Sequence, residues 1–303
     1  MMRESATKAA ATWEPARPAY DDLIQRIRDR LDQMSNGYRQ VADYILEHYD
    51  RAAFLTAAKL GRTVGVSEST VVRFATALGY GGYPELQGVL QEIVKSRLTT
   101  VDRVIGSADT LGSEEDILTA VMQGDIENLR LTLRDLDRKA FHAAVSMLRG
   151  ARRILVVGLR SSAALALFLG FNLDWILGNV KVAGFVAQDV WEHLVHLGRE
   201  DVVVGISFPR YTKATVQALA AARERRCKII ALTDSVVSPL SKYADVVLAA
   251  RDTVPAYTDS FVAPLSIINA LLAATSMADR ARTTRNLRRL EELWKEYGVY
   301  HQP

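Results

Sequence analysis

The sequence predicts a two-part fold, in which an all-α N-terminal domain with a helix-turn-helix bundle precedes a doubly wound α/β domain. Three observations support this prediction. The chain has 303 residues, which is more than a single domain usually contains. Its first hundred residues show only helical periodicity. Its second half alternates short apolar, β-branched runs with longer helical segments, as is typical of right-handed βαβ units around a parallel sheet.

The chain divides into four predicted segments. Residues 1–19 are rich in Ala, Pro and small polar residues and predict a flexible tail. We expect a helix-turn-helix domain over residues 20–105, a linker over residues 106–113, and the α/β domain over residues 114–303. The parallel sheet should have five strands, which are the runs "RRILVVG", "VKVAG", "DVVVGIS", "CKIIALT" and "ADVVLAA".

The helical domain begins with apolar residues at spacings of three and four. These predict a first helix, and they are Leu23, Ile27, Leu31 and Met34. Ser35 is a suitable N-cap for the second helix. Two shorter helices are predicted in "AAKLGRTVG" and "ESTVVRFATALG", and a longer one over roughly Leu86–Val104.

The two short helices have the spacing of a helix-turn-helix motif. Two helices that cross steeply need a small residue inside the first helix and a glycine at the turn, and Gly61 and Gly65 supply these. Apolar residues must then fill the seam beneath the second helix, and those available are Val66, Val71 and Phe74.

The start of the second short helix is a candidate DNA-binding surface. Ser67 caps this helix, and Glu68, Ser69, Thr70 and Arg73 are expected to be exposed on the part that enters the major groove in such proteins. Arg73 can reach guanine or phosphate, and the hydroxyls can donate to phosphates or base edges. A plain corner of a helical bundle is the alternative, and Glu68 favours it because phosphates repel an acid.

Two loops of the α/β domain carry an unusual density of hydroxyls and cations. Both follow predicted strands, where an open parallel sheet binds its ligands. The first loop contributes Arg160, Ser161 and Ser162, and the second contributes Ser207, Arg210, Thr212 and Thr215. Such groups suit an anion, with phosphate the natural choice. Ordinary N-capping is the alternative, but it accounts for only one hydroxyl per helix. A third polar loop, "TDSVVSPLSKYAD", is more simply explained as a turn.

Catalytic and metal chemistry are weakly supported. The candidates for a base are Glu192, His193 and His196, which a solvated helix face explains better. The two histidines lack a clear third ligand, and the single cysteine, Cys227, lies in an apolar run. We therefore predict no catalytic residues, no metal and no cofactor.

Charge and hydropathy favour a protein of the reducing cytoplasm. The formal net charge is 38 − 35 = +3, so DNA contact has to come from local placement of charge. No signal peptide and no bilayer-spanning segment is apparent, so we expect no membrane partner.

The stretch "FLTAAKLGRTVGVSESTVVRFATALGYGGYPELQ" resembles the N-terminal domain of RpiR-type transcriptional regulators. The second half is similar to the sugar isomerase (SIS) domain that these regulators carry, through "DVVVGIS", "TKAT", "ALTDS", "SPLSKYADVVL" and the two serine-bearing loops. The resemblance implies a bacterial repressor or activator of catabolic genes. Such a protein binds operator DNA as a homodimer or homotetramer and senses a phosphorylated sugar or a related anionic metabolite.

The sequence departs from the SIS pattern at two cations. Many SIS domains have a glycine where Arg160 stands, and a serine followed by glycine where Pro209 and Arg210 stand. These changes reduce the space for phosphate against bare backbone and add two positive charges. We therefore hypothesise an effector that is more acidic than a simple hexose phosphate, or that is not a sugar.

Two other functions remain open from the sequence. One is a phosphosugar isomerase with an accessory helical domain, which would need one of the weak base candidates. The other is a metabolite-binding protein whose N-terminal helices contact another protein. The regulator is the function that we predict.

Overall fold

The computed structural model of this chain describes residues 19–31, 34–97, 101, 104, 114–183, 189–253 and 258–301. The chain divides into two compact units, Met1–Lys95 and Ser96–Pro303. The predicted tail, apart from Ala19, and the predicted linker lie outside the described residues.

The described part of the first unit is helical, as predicted. Its helices are α1 (Ala19–Arg28), α2 (Asn36–Ala52), α3 (Ala57–Val64), α4 (Glu68–Ala77) and α5 (Tyr83–Arg97).

The first helix is shorter than the apolar spacing predicts. α1 ends at Arg28, and the backbone then tightens, with Arg30 N–H bonding Ile27 carbonyl three residues back. Leu31 still packs against the core of this unit although it lies beyond α1. A turn that returns side chains to the same core imitates helical spacing, which is why the prediction ran too far.

Side chains of α5 hold the C-terminal end of α2. The Tyr83 hydroxyl donates to the Leu55 carbonyl at 2.8 Å, and the Gln87 and Gln91 amides donate to the Leu55 and Ala53 carbonyls at 2.9 and 3.0 Å. These carbonyls follow a helix end, where the chain itself offers few partners. Burial raises the pKa of Tyr83 to about 12, so it remains a donor.

The second unit contains a five-stranded, all-parallel sheet, which confirms the predicted fold class. The strands are β1 (Ile154–Gly158), β2 (Val180–Ala183), β3 (Val202–Ile206), β4 (Lys228–Thr233) and β5 (Val246–Ala249). Their spatial order is β2-β1-β3-β4-β5.

Helices cover both faces of this sheet. They are α6 (Glu114–Asp135), α7 (Arg138–Gly150), α8 (Ala163–Leu177), α9 (Asp189–Leu194), α10 (Lys213–Glu224), α11 (Val262–Ala278) and α12 (Arg280–Glu296). Successive strand residues point to opposite faces. Thus Ile154 and Val156 join one buried cluster with α8 and α11, whereas Leu155 and Val157 join another with α10.

The described helices differ from membrane-spanning helices in length and composition. None of them alone is long and apolar enough to cross a membrane, and α11 and α12 reach that length and composition only as a pair bent by 104°.

An ion pair with a buried carboxylate fixes the end of the sheet at which β3 begins. Asp201 is fully buried and accepts from Arg152 Nε and Nη2 at 3.0 and 2.7 Å, and from Gly198 N–H at 2.7 Å. Its carbonyl accepts from Lys228 N–H, so the residue connects the starts of β1, β3 and β4. Burial acts to raise the pKa of the Asp201 carboxyl, but the hydrogen bonds from Arg152 and Gly198 hold it below its ordinary value.

The first testable prediction concerns this carboxylate. Asp201→Asn should lower the free energy of unfolding by about 2 kcal/mol at neutral pH, because hydrogen bonds to charged groups contribute about 1.5–3 kcal/mol. Since the folded-state pKa is lowered, the contribution is complete above the unfolded pKa of about 4 and is lost as pH falls through the folded one. The difference from wild type, measured by urea unfolding, should therefore shrink below about pH 4.

A second aspartate provides the control. Asp135 pairs with Arg134 and Arg251 at the surface, where its side chain is 39% exposed. Solvent screens such a pair, so Asp135→Asn should change stability little. Equal losses in both variants would contradict the special role of Asp201.

Candidate functional site

The turn between α3 and α4 requires both of its glycines, as predicted. Gly61 is buried, and a Cβ there would lie 2.8 Å from the Val66 carbonyl oxygen. Gly65 ends α3 with a φ of 76°, which L-residues with a side chain rarely adopt. Val71 and Phe74 are fully buried beneath α4, so the seam also forms as predicted.

Ser67 organises the first turn of α4. Its Oγ accepts from Thr70 N–H at 3.2 Å, which makes it the predicted N-cap. The same oxygen lies 2.9 Å from Ser69 Oγ and 2.8 Å from Thr70 Oγ1. Ser67, Glu68 and Ser69 are exposed, whereas Thr70 is half-buried. Three of these predicted residues therefore face solvent, and Thr70 also supports the turn.

The exposed side of α4 continues beyond this turn. Arg73 is exposed, and its Nε donates to the Ser69 carbonyl at 3.2 Å, which aligns the guanidinium along the helix. Val72 is 38% exposed and was missed by the sequence analysis. Its position four residues after Glu68, on the same helix side, was the signal that could have found it. An exposed valine can pack on a thymine methyl group.

In the second unit, the two predicted effector loops leave neighbouring strands. β1 and β3 pair in parallel with Gly158 opposite Ile206, so both loops begin at the same edge of the sheet. The chain returns from β1 towards β2 on one side and from β3 towards β4 on the other. This is a topological switch point, where open α/β sheets form their binding crevice.

The first loop folds tightly onto α8. A Cβ on Gly158 would lie 2.7 Å from the Ser162 carbonyl oxygen and 2.8 Å from Ala166 Cβ, so the strand needs glycine there. Arg160–Ser162 form one 3₁₀ turn that leads into α8. Arg160 and Ser161 are exposed, and Ser162 is buried without a side-chain capping bond.

The second loop is fastened by Ser207. Its N–H donates to the Leu232 carbonyl of β4 at 3.2 Å, and its Oγ accepts from Thr212 N–H at 3.2 Å. Thr212 occupies the N-cap position of α10 but makes no side-chain capping bond. Thr215 is fully buried, and within the described part of the chain its Oγ1 has no hydrogen-bond partner. Arg210 is exposed at the tip of the loop.

This geometry weakens the N-capping explanation of the hydroxyls. Ser162 and Thr212 stand at the two N-cap positions, yet neither side chain caps its helix. Ser207 fastens the loop instead, through the Thr212 amide.

Tyr211 connects the second loop to the one after β4. Its hydroxyl donates to Asp234 Oδ1 at 2.8 Å, and Thr233 Oγ1 donates to the same oxygen at 3.1 Å. The sequence analysis did not single out Tyr211. Asp234 lay in the loop that was explained as a turn, and no local pattern indicated that the two residues meet.

The candidates for catalysis lie on or just after α9, which packs against α10. Glu192 and His193 lie on α9, where Glu192 is exposed and His193 is half-buried. His196 follows α9 and is exposed. No hydrogen bond joins these three side chains to either loop within the described ranges. Nor do the described residues contain a group of three or more His, Cys, Asp or Glu that could hold a metal ion.

Comparison with known proteins identifies both units. The family described as "Helix-turn-helix domain, rpiR family" matches residues 22–96, and the SIS domain family matches residues 147–274. HexR from Escherichia coli, an HTH-type transcriptional regulator, is 29% identical over 286 residues, which cover 91% of this chain and 95% of HexR. HexR from Pseudomonas aeruginosa is 28% identical, with 89% of this chain and 95% of that protein covered.

Two solved structures are similar. The sugar isomerase domain of an RpiR transcription factor from Sphaerobacter thermophilus is 35% identical, with a TM-score of 0.56, and the match covers 58% of this chain and 98% of that one. NanR from Vibrio vulnificus, solved with ManNAc-6P, is 24% identical with a TM-score of 0.58, and the match covers 91% and 98% of the two chains. At that identity, the likeness to NanR concerns the fold.

The second testable prediction separates the two hydroxyls of the second loop. Ser207→Ala should lower the free energy of unfolding by about 1–2 kcal/mol, because it leaves the Thr212 amide without its acceptor. Thr212→Ala should cost less than about 0.5 kcal/mol, since no capping bond is lost, whereas loss of a true N-cap costs about 1 kcal/mol. Urea unfolding of both variants is the measurement, and a larger loss in Thr212→Ala would contradict this assignment.

Proposed function

The chain belongs to the RpiR family of helix-turn-helix transcriptional regulators, and from this premise we propose how its two units divide the work. Residues 20–105 bind operator DNA through α4, and residues 114–303 sense a phosphorylated sugar or a similar anionic metabolite. The genes controlled are catabolic, and the protein acts in the cytoplasm. The observation that carries this proposal is the pairing of β1 with β3, which brings two hydroxyl-rich loops to one crevice.

DNA recognition is assigned to the exposed side of α4. Ser67, Glu68, Ser69 and Arg73 are exposed there, together with Val72. Hydroxyls at a helix N-terminus suit phosphates, and arginine suits guanine. Glu68 acts in selection, since an acid is tolerated only where it accepts from a cytosine amino group.

Effector binding is assigned to the two loops. Ser161 and Ser162 would act from the first, and Ser207, Thr212 and Thr215 from the second, with Arg160 and Arg210 at their rims. The hydroxyls of Ser162 and Thr212 make no capping bonds, which leaves them for a ligand. Thr215 is fully buried and lacks a partner among the described residues, so its hydroxyl would act from beneath the loop. The similarity to the sugar isomerase domain of the Sphaerobacter thermophilus RpiR transcription factor, at 35% identity, supports a sugar-like effector.

Turnover of a sugar phosphate is the weaker alternative. Isomerisation needs a carboxylate or histidine to move a proton. Within the part of the chain that the structure describes, Glu192, His193 and His196 make no hydrogen bond to either loop. Asp234 does contact the second loop, but its Oδ1 already accepts from the Tyr211 and Thr233 hydroxyls. We therefore assign binding without catalysis.

Self-association is assigned to the exposed side of α6. One side of α6 packs on the rest of the second unit, with Asn128 Nδ2 donating to the Thr253 carbonyl at 2.9 Å. The opposite side presents a row of large apolar side chains, 54–68% exposed, which are Leu118, Met122, Ile126 and Leu133. α6 therefore has apolar side chains on its exposed side as well as on its packed side, and an exposed apolar row of this kind indicates a second partner.

The spacing of this row favours a second copy of the chain. In an antiparallel pair of α6 helices related by a two-fold axis near residue 125, Leu118 lies opposite Leu133 and Met122 opposite the half-buried Leu129. Asp116 then lies opposite Asp135, beside Arg134 in the basic last turn. The surface is therefore self-complementary, as a two-fold interface requires.

Such pairing explains how sensing reaches the DNA. Two recognition helices on a two-fold dimer read half-sites about one helical turn apart. An effector changes DNA affinity only if it binds two arrangements of the dimer unequally, and such coupling is typically about 1–3 kcal/mol.

The third testable prediction concerns operator binding. The wild-type protein should bind its own upstream promoter fragment in a sequence-specific and salt-sensitive manner. Arg73→Ala should weaken that binding by about 1–3 kcal/mol if the guanidinium contacts a base bidentately. Fluorescence anisotropy with a labelled duplex measures both. Arg51→Ala, at the exposed end of α2, is the control and should bind normally; absence of specific binding by the wild type would overturn the regulator assignment.

The fourth testable prediction concerns assembly. Leu118→Glu with Met122→Glu places two charges in the proposed apolar interface, so analytical ultracentrifugation should show a smaller assembly with unchanged circular dichroism. Val236→Glu, at a site 68% exposed between β4 and β5, is the matched control. If the α6 variant sediments like wild type, this interface is wrong.

A further inference from the structure

Three residues other than glycine have a left-handed backbone in the described part of the chain, and all three are arginines. They are Arg160, Arg210 and Arg226, with φ of 56°, 67° and 61°. A side chain with a Cβ makes this region unfavourable, and glycine is the residue that occupies it at little cost. Each position therefore needs a reason for carrying arginine.

Arg226 has a purely structural reason for its backbone. It follows Arg225, the C-cap of α10, and its N–H donates to the Arg223 carbonyl at 2.9 Å. The next N–H, of Cys227, donates to the Ala222 carbonyl at 3.0 Å. This pair of bonds is the Schellman ending of a helix, which requires the left-handed conformation at Arg226.

Arg160 and Arg210 have no such reason. Neither ends a helix, since each precedes one, α8 and α10 respectively. They lie in the two loops that leave the paired ends of β1 and β3, and both side chains are exposed. Unfavourable backbone at a binding crevice persists where the side chain serves a function that glycine cannot.

The chemistry of the pair indicates what that function is. Hydroxyls and amides of the loops already provide donors for one phosphate. Each guanidinium can form charge-assisted, bidentate hydrogen bonds with a carboxylate or a phosphate. A neutral hydroxyl of a sugar gains much less from them.

We propose that Arg160 and Arg210 form a second anionic subsite, so that the effector carries a carboxylate or a second phosphate in addition to its first phosphate. This inference rests on the proposed function, because it refines the ligand of the same crevice. The ligand class is therefore a phosphorylated sugar acid or a sugar bisphosphate.

Two matched pairs of compounds test the subsite. Glucose 6-phosphate and 6-phosphogluconate differ by a carboxylate, and fructose 6-phosphate and fructose 1,6-bisphosphate differ by a phosphate. Isothermal titration of the full chain should show at least one member with two anionic groups binding about tenfold more tightly than its monophosphate partner. The pair that shows the preference identifies the second anionic group.

Glycine variants connect this preference to the two arginines. Arg160→Gly, Arg210→Gly and their combination keep the left-handed backbone without strain, so each should fold and unfold at a urea concentration close to that of wild type. In the combined variant, the preference, which is the ratio of the two affinities measured on that same variant, should fall from about tenfold to about onefold. Arg226→Gly is the matched control, and it should keep the full preference.

The outcomes separate this inference from the function on which it rests. The subsite would be overturned if monophosphates bind as tightly as their partners with two anionic groups. It would also be overturned if the preference survives in the combined glycine variant. Either result would leave phosphosugar sensing intact. If none of the four compounds and no inorganic phosphate binds the wild type, phosphosugar sensing fails, and the subsite fails with it.

Discussion

The parallel pairing of β1 with β3 is the contact on which the second unit depends. β1 has β2 on one side and β3 on the other, so the chain has to pass back across β1 before it continues towards β4. The edge at which both strands start is fixed by buried Asp201 and its bonds to Arg152. At the opposite edge, the same pairing sets Gly158 beside Ile206 and directs both loops into one crevice. One register therefore brings together the two loops to which effector binding is assigned in the proposal.

Within that crevice, the backbone conformation is more informative than the side-chain types alone. Serine and threonine at helix starts usually satisfy backbone amides, and a crevice made only of such caps would have little left for a ligand. Here the residues at the N-cap positions, Ser162 and Thr212, do not cap, and Ser207 fixes its loop through a single amide. The left-handed arginines add a second unusual feature at the same place, whereas Arg226 shows the conformation in its ordinary structural setting.

In the first unit, the main packing requirement is the close crossing of α3 and α4. Two short helices can cross closely only if nothing stands between them, and Gly61 meets this need because even a Cβ would contact the Val66 carbonyl. The remaining side of α4 is left exposed with hydroxyls, one arginine and one valine. In the proposed function, this exposed side of α4 binds DNA, the two loops of the second unit bind an effector, and dimerisation couples the two energetically.

The sequence by itself determined the elements and the class of fold. The turn at Gly65, the cap at Ser67 and the five apolar strands follow from local chemistry, because each depends on residues within a few positions of one another. It also indicated both hydroxyl-rich loops, since each directly follows a strand. Only the tertiary structure decided that β1 lies beside β3, that α1 stops at Arg28, that Tyr211 meets Asp234, and that Arg160 and Arg210 hold a left-handed backbone. The pairing of β1 with β3 and the contact of Tyr211 with Asp234 join segments that are distant in the chain, and periodicity along the sequence carries no record of such contacts.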